Sequence, residues 1–191
     1  IKCESGELVY ADGLVMTPPV PQSLQLLDDA GVVLPAKTDA QLRAVEYHPC
    51  IALMALFDGT SQIPEQGAVR IHAGDIRWIA DNQQKGISPK AVAVTIHASP
   101  RFSQRYWDAE HAVIAKRLLM EVAPWVDAPV RTVQIHRWRY SQPVETVSVE
   151  NPFVPGPPSL VFAGDAFRGG RVEGAYLSGM AAAEQLLGAV S

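Results

Sequence analysis

The chain has 191 residues, 48% of them apolar and 19% charged, enough for one good core or for a domain and part of its neighbour. Its formal net charge of −4 is spread along the length without a basic run, which argues against binding nucleic acid by phosphate neutralisation. No apolar run reaches the roughly 18 residues a membrane helix needs, so neither nucleic acid nor membrane is an expected partner.

The chain starts at Ile1 and enters strand-like sequence at once, without a signal peptide, so a piece of a longer polypeptide is expected. The opening "IKCESGELVYADGLVMT" reads as a hairpin turning at Gly6, with a second turn at Asp12-Gly13. Its last strand, "GLVMT", is apolar on both faces and should lie inside a sheet. "PPVPQSLQLLDDAG" has prolines suited to a first helical turn, places Leu24, Leu26 and Leu27 on one side, and stops at Gly31. "TDAQLRAV" opens with a capping box, Thr38 followed by Gln41.

Four strand-like runs follow, "CIALMALFDG", "AVRIHAG", "DIRWIADN" and "AVAVTIHAS", punctuated by Gly, Asn and Asp as in an antiparallel meander. From residue 101 to 123 the period becomes helical, with Ala112, Ala115, Leu118, Leu119 and Val122 in phase and Pro124 as the stop. "VRTVQIHRWRYSQ" is another strand and "PFVPGPPS" an irregular connector. "LVFAG" is a short buried strand, and a closing helix runs from about Val172 to Leu187. The two cysteines, Cys3 and Cys50, match no metal-ligand spacing and read as buried thiols of a reducing compartment, which suggests the cytoplasm.

The fold class expected is α+β. Residues 33–150 form a domain with a mostly antiparallel sheet and helices, inserted between two flanks, 1–32 and 151–191, that belong together.

The most informative stretch is "AGDAFRGGRVEGAYLSG". Gly164 at a strand end lets backbone pass close to a ligand, and the carboxylate of Asp165 can accept hydroxyl donors. After the Gly169-Gly170 turn a helix begins near Val172, where free N–H groups and the positive dipole end favour an electron-rich partner. Small residues from Gly174 onward let something flat, or another backbone, lie very close. An ordinary turn before a helix packed on a sheet fits the same residues.

This segment resembles the C-terminal flavin-binding motif of the flavin-containing amine oxidase superfamily. "RWIADNQQK", "VTIHASPRFS", "IHRWRYSQP" and "YADGLVMTPPVPQSLQLL" resemble its renalase-like branch. The resemblance implies FAD as cofactor, with Asp165 on the ribityl chain and the Val172 N–H toward the pyrimidine edge of the ring. Gly164, Arg171, Glu173, Gly174 and Ala175 complete the implied cofactor set. It also implies hydride transfer from a dihydronicotinamide-type or small-amine substrate, with molecular oxygen taking the electrons. One departure stands out: the family's opening Rossmann βαβ unit with G-x-G-x-x-G is absent, so that part of a three-layer FAD domain is expected upstream of Ile1.

For the chemistry, His97 can donate a hydrogen bond or move a proton near neutral pH, or be a satisfied sheet histidine. Alternation puts Trp138 and Tyr140 on one face, as a wall for a flat substrate or as a core pair. Trp78 with Asn82, Lys85, His72 and His136 are weaker candidates. The competing reading is a non-catalytic fragment or degenerate paralogue that binds a partner or an apolar ligand. Self-association of such a chain through exposed apolar edge is also expected.

Overall fold

The structure, a computed structural model, describes residues 1–146 and 151–190, with the side chain of residue 190 left out. In chain order its elements are β1 (Gly13–Met16), α1 (Val20–Asp29), α2 (Ala36–Arg43), β2 (Tyr47–Phe57), β3 (Ala68–Arg70), β4 (Ile76–Asp81), β5 (Val92–Ala98), α3 (Pro100–Arg105), α4 (His111–Val122), β6 (Val130–Pro143), β7 (Phe153–Val154), β8 (Ser159–Phe162) and α5 (Val172–Val190). The architecture is mixed α+β. Two compact units divide the chain: Ile1–Tyr47 with Gln142–Ser191, and His48–Ser141. The boundary expected after residue 150 falls outside the described residues.

In the discontinuous unit β1 runs parallel to β8, Gly13 opposite Ser159 and Met16 opposite Phe162, and β7 pairs antiparallel with β8. β8 is buried along its whole length and sends alternate side chains to opposite sides. Leu160 and Phe162 join Met16, Leu24, Leu27 and Leu42 in one core. Val161 and Ala163 meet Ala182 of α5 in another. The unit is therefore layered, with α1 and α2 on one side of the sheet and α5 on the other.

Several expectations change here. Among the described residues β1 lies at the sheet edge, not inside it. An apolar run reports how many faces are covered, and both faces of β1 are covered without a second lateral neighbour. The Gly6 turn forms with φ of 85°, but the hairpin is reduced to one bridge, Lys2 to Leu8. Leu26 is 56% exposed, while α1 buries Val20, Ser23, Leu24 and Leu27. The capping box does not form, because α2 starts at Ala36 behind Pro35 and Thr38 is already inside it. Cys3 is partly exposed, and Cys50 alone is buried.

The continuous unit is a five-stranded sheet in the order β3-β4-β5-β2-β6. The β3–β4, β4–β5 and β5–β2 pairs are antiparallel. One face carries Ile51, Leu53, Val94, Ile96 and Ile79, packed against Phe102 of α3 and Ile114 and Leu118 of α4. The helix expected over 101–123 is two helices. Ser99 caps α3, its hydroxyl accepting the Phe102 N–H at 3.2 Å, and Tyr106 leaves helical geometry. The break is held from β6: the Arg137 guanidinium donates to the carbonyls of Trp107 and Ala109, both at 2.7 Å. Ser103 ties α3 to β2, since its hydroxyl donates to Ser99 O and accepts the Ile51 N–H, each at 2.9 Å.

Candidate functional site

Beyond β8 the chain continues its parallel ladder for one residue, the Ala163 N–H donating to Met16 O at 3.0 Å. Gly164 then adopts φ of 145°, a conformation that side-chain-bearing residues rarely hold. Its N–H donates to the hydroxyl of Ser178 on α5 at 3.1 Å. Asn151 braces Ser178 from behind, its amide nitrogen donating to Phe162 O, Ser178 O and Ser178 Oγ at 2.8–2.9 Å. Both residues are buried. The turn is thus pinned to the helix that follows it.

The Asp165 carboxylate is half-buried. Desolvation raises its pKa above the ordinary carboxylate value, opposed by hydrogen bonds from its own N–H, the Ala166 N–H and the Tyr47 hydroxyl. Tyr47 is pushed up to about 12, chiefly by burial. Its hydroxyl also lies 3.4 Å from the Val20 N–H at the start of α1. Nothing in the sequence singles Tyr47 out; it opens an apolar strand, and only the fold brings it to Asp165.

Between Arg168 and Val172 the chain turns sharply, with Arg168 at φ of 64° and the Arg171 N–H donating to Gly169 O at 2.7 Å. A Cβ on Gly174 would sit 1.8 Å from Gly169 O and 2.6 Å from Arg168 O. At this position it is therefore the backbone of the turn that needs a glycine. The first full helical bond of α5 is Ala175 N–H to Arg171 O, 2.9 Å, so the N–H groups of Val172, Glu173 and Gly174 precede it. Val172 and Glu173 are exposed and Ala175 is partly buried.

These residues fit a polyhydroxylated chain carrying an electron-rich ring. A carboxylate offers about four lone-pair sites, so Asp165 can accept from more than one hydroxyl. The start of α5 offers N–H groups without helical partners.

The other candidates share a face of the five-stranded sheet. Antiparallel partners project to the same side, and Ala52 opposite His97, His97 opposite Trp78 and Trp78 opposite Arg70 form one row across it. Arg70 lies over the Trp78 ring at 5.8 Å. In the next row Thr95 accepts the Asn82 amide at 3.0 Å. Burial lowers the pKa of His97, leaving it neutral at pH 7. On β6, Val133 and Ile135 pack toward the core. Arg139 stacks over Trp107, 4.9 Å from the ring centre. His136, Trp138 and Tyr140 alternate with these and take the opposite face. Trp138 is 53% exposed and packs against the His136 ring at 4.3 Å, while Tyr140 is partly buried. Lys85 and His72 are exposed in loops. An open groove of 570 Å³ beside β6 and α4 is lined by Met54, His111, Ala115, Ile135 and His136, and includes neither His97 nor Trp138.

Comparison with known proteins extends these observations. Mouse renalase is 26% identical over 94% of this chain, and the chain spans 55% of renalase's length. A solved structure from Exiguobacterium sp. 255-15, provisionally assigned as a protoporphyrinogen oxidase, matches 94% of this chain with a TM-score of 0.64 at 18% identity, over 42% of its own length. An oxidoreductase from Methanosarcina mazei matches 94% with a TM-score of 0.62 at 18% identity, over 44% of its length. At those identities the two structures establish likeness of fold. The family described as flavin containing amine oxidoreductase matches residues 1–187 of the 191, and the chain belongs to that flavin-dependent family.

Proposed function

We propose that the chain is part of an FAD-dependent, renalase-like oxidoreductase that takes a hydride from a dihydronicotinamide-type ring or a small amine and passes electrons to molecular oxygen. The observation that carries this reading is the place of Asp165: a half-buried carboxylate on the turn that ends a parallel strand, next to Gly164, whose N–H is pinned to Ser178 of α5.

In this reading Asp165 accepts from the ribityl hydroxyls, and Gly164 lets the chain approach them. The N–H of Val172 faces the ring's electron-rich edge, flanked by Arg171, Glu173, Gly174 and Ala175. Bound flavin supplies the hydride acceptor. The positive end of α5 favours the negative charge that develops as electrons arrive. Neutral His97 donates a hydrogen bond to substrate or takes its proton, and Trp138 and Tyr140 hold a planar ring. The discontinuous unit, expected as residues 1–32 and 151–191, is then the FAD-binding portion, and the domain expected over 33–150 receives substrate.

The test uses full-length protein purified with its flavin, which absorbs near 450 nm (roughly, from the cofactor's own chemistry). Asp165→Ala removes an acceptor worth about 1.5–3 kcal/mol, so flavin should be lost on dialysis. Undiminished flavin content removes Asp165 from the site.

A non-catalytic, partner-binding reading has one observation behind it. Val172, Tyr176 and Met180 recur every four residues on α5, and all are exposed.

A further inference from the structure

Resting on the reading of Asp165 as a flavin-contacting carboxylate, we infer that Asn151 and Ser178 are its positioning residues: a buried clamp that fixes the Gly164 turn and so aims the carboxylate. Neither needs to touch the ligand. Asn151 lies two residues before β7 and Ser178 inside α5, and they are 3% and 0% exposed.

Which way the Asn151 amide faces is set by what surrounds its nitrogen. Two of the three acceptors there, Phe162 O and Ser178 O, both at 2.8 Å, are main-chain carbonyls, which can only accept. The nitrogen therefore lies on that side and the oxygen on the other. One amide ties the last residue of β8 to the interior of α5, and it also donates to Ser178 Oγ at 2.9 Å. The same hydroxyl oxygen accepts the Gly164 N–H at 3.1 Å. Strand end, helix and turn are thus joined through a single atom. Val161, Ala163 and Ala182 pack together beside the clamp and keep water from competing for it.

The Asn151 oxygen is a second observation. It is buried and, among the described residues, has no hydrogen-bond partner. An unpaired buried acceptor lowers stability, so what this side chain contributes lies at its nitrogen, in the clamp. Gly164 is where a clamp matters. A glycine has more backbone freedom than any other residue, and this one holds φ of 145° directly before Asp165. With its N–H fixed, the following carboxylate keeps one direction, and less freedom is lost when ligand hydroxyls bind.

The experiment measures FAD affinity by fluorescence quenching in flavin-stripped full-length protein. Ser178→Ala removes the shared acceptor, and alanine is small and favours the helix. Asn151→Asp keeps the shape but turns acceptors toward the two carbonyls. Each should weaken FAD about tenfold, the size of one hydrogen bond, and Ser178→Ala should add nothing once Asp165 is Asn. Ser103→Ala, which breaks a buried tie in the other unit, controls for lost stability and should leave the affinity unchanged. Unchanged affinity in Ser178→Ala while Asp165→Asn binds weakly overturns the proposal. So does an equal penalty in both Asp165 backgrounds, or an equal loss in Ser103→Ala, since either makes the clamp a structural tie alone. If Asp165→Asn itself binds FAD normally, the reading of Asp165 fails first, and the positioning role with it.

Discussion

At the scale of single residues, the half-buried Asp165 bears on stability whatever it binds. Its pKa is raised in the folded state, so the folded chain holds the proton more tightly than the unfolded one. Stability from this group is present below the unfolded value, about 3.9, and is lost as pH rises through the folded value. Asp165→Asn should therefore raise the thermal midpoint of flavin-free protein at pH 7.5, with the gain shrinking as pH falls toward 4. A lower midpoint for the variant at pH 7.5 contradicts this. Trp138, with more than half its surface exposed, should tolerate Ala with less than about 1 kcal/mol of destabilisation. If it holds substrate, Trp138→Ala changes steady-state kinetics far more than the melting temperature; normal kinetics per folded molecule would take it off the substrate face. The turn at Gly164 could be located in the sequence because few residues other than glycine follow a strand that way. Tyr47 could not, since its partner lies more than a hundred positions away.

At the scale of elements, the strands announced themselves and the helix ends did not. β5 buries every second residue from Val92 to Ala98, and a strict period of two leaves little else to build. The break between α3 and α4 has no comparable mark, because the buried phase of α4 (Ile114, Leu118 and Val122, with the expected Ala112 exposed) says nothing about where the preceding turn stops. It depends on Arg137, a strand residue that takes the carbonyls of Trp107 and Ala109. The α3 to β2 tie is similarly long-range. Ser103→Ala leaves the buried Ile51 N–H without an acceptor and should cost about 1–3 kcal/mol, measured by urea unfolding. A loss under about 0.5 kcal/mol would mean the amide finds another partner.

At the scale of the molecule, two predictions concern the 191-residue chain by itself. In the proposed reading it offers FAD one carboxylate contact and one helix start, each worth about 1–3 kcal/mol at best, against an association cost of several kcal/mol. The glycine-rich helix start that would cradle a pyrophosphate is absent from the sequence. Titration with FAD should therefore show millimolar affinity or weaker, and micromolar binding would mean this half-site suffices. The exposed α5 strip and the open edge of β1 should drive self-association, visible as concentration-dependent sedimentation; a monomer at the highest soluble concentration argues against it. The other consequence lies in how the chain leaves one unit and returns. It departs along β2 and comes back along β6, neighbours in one sheet, and the Val144 N–H donates to Glu46 O at 2.9 Å where the two crossings meet. The ends of the inserted unit are thus side by side, and closing them costs little chain entropy. Residues 48–141 should be separable as an autonomous, even circularly permutable, module, and a short turn joining 47 to 142 should spare the layered remainder.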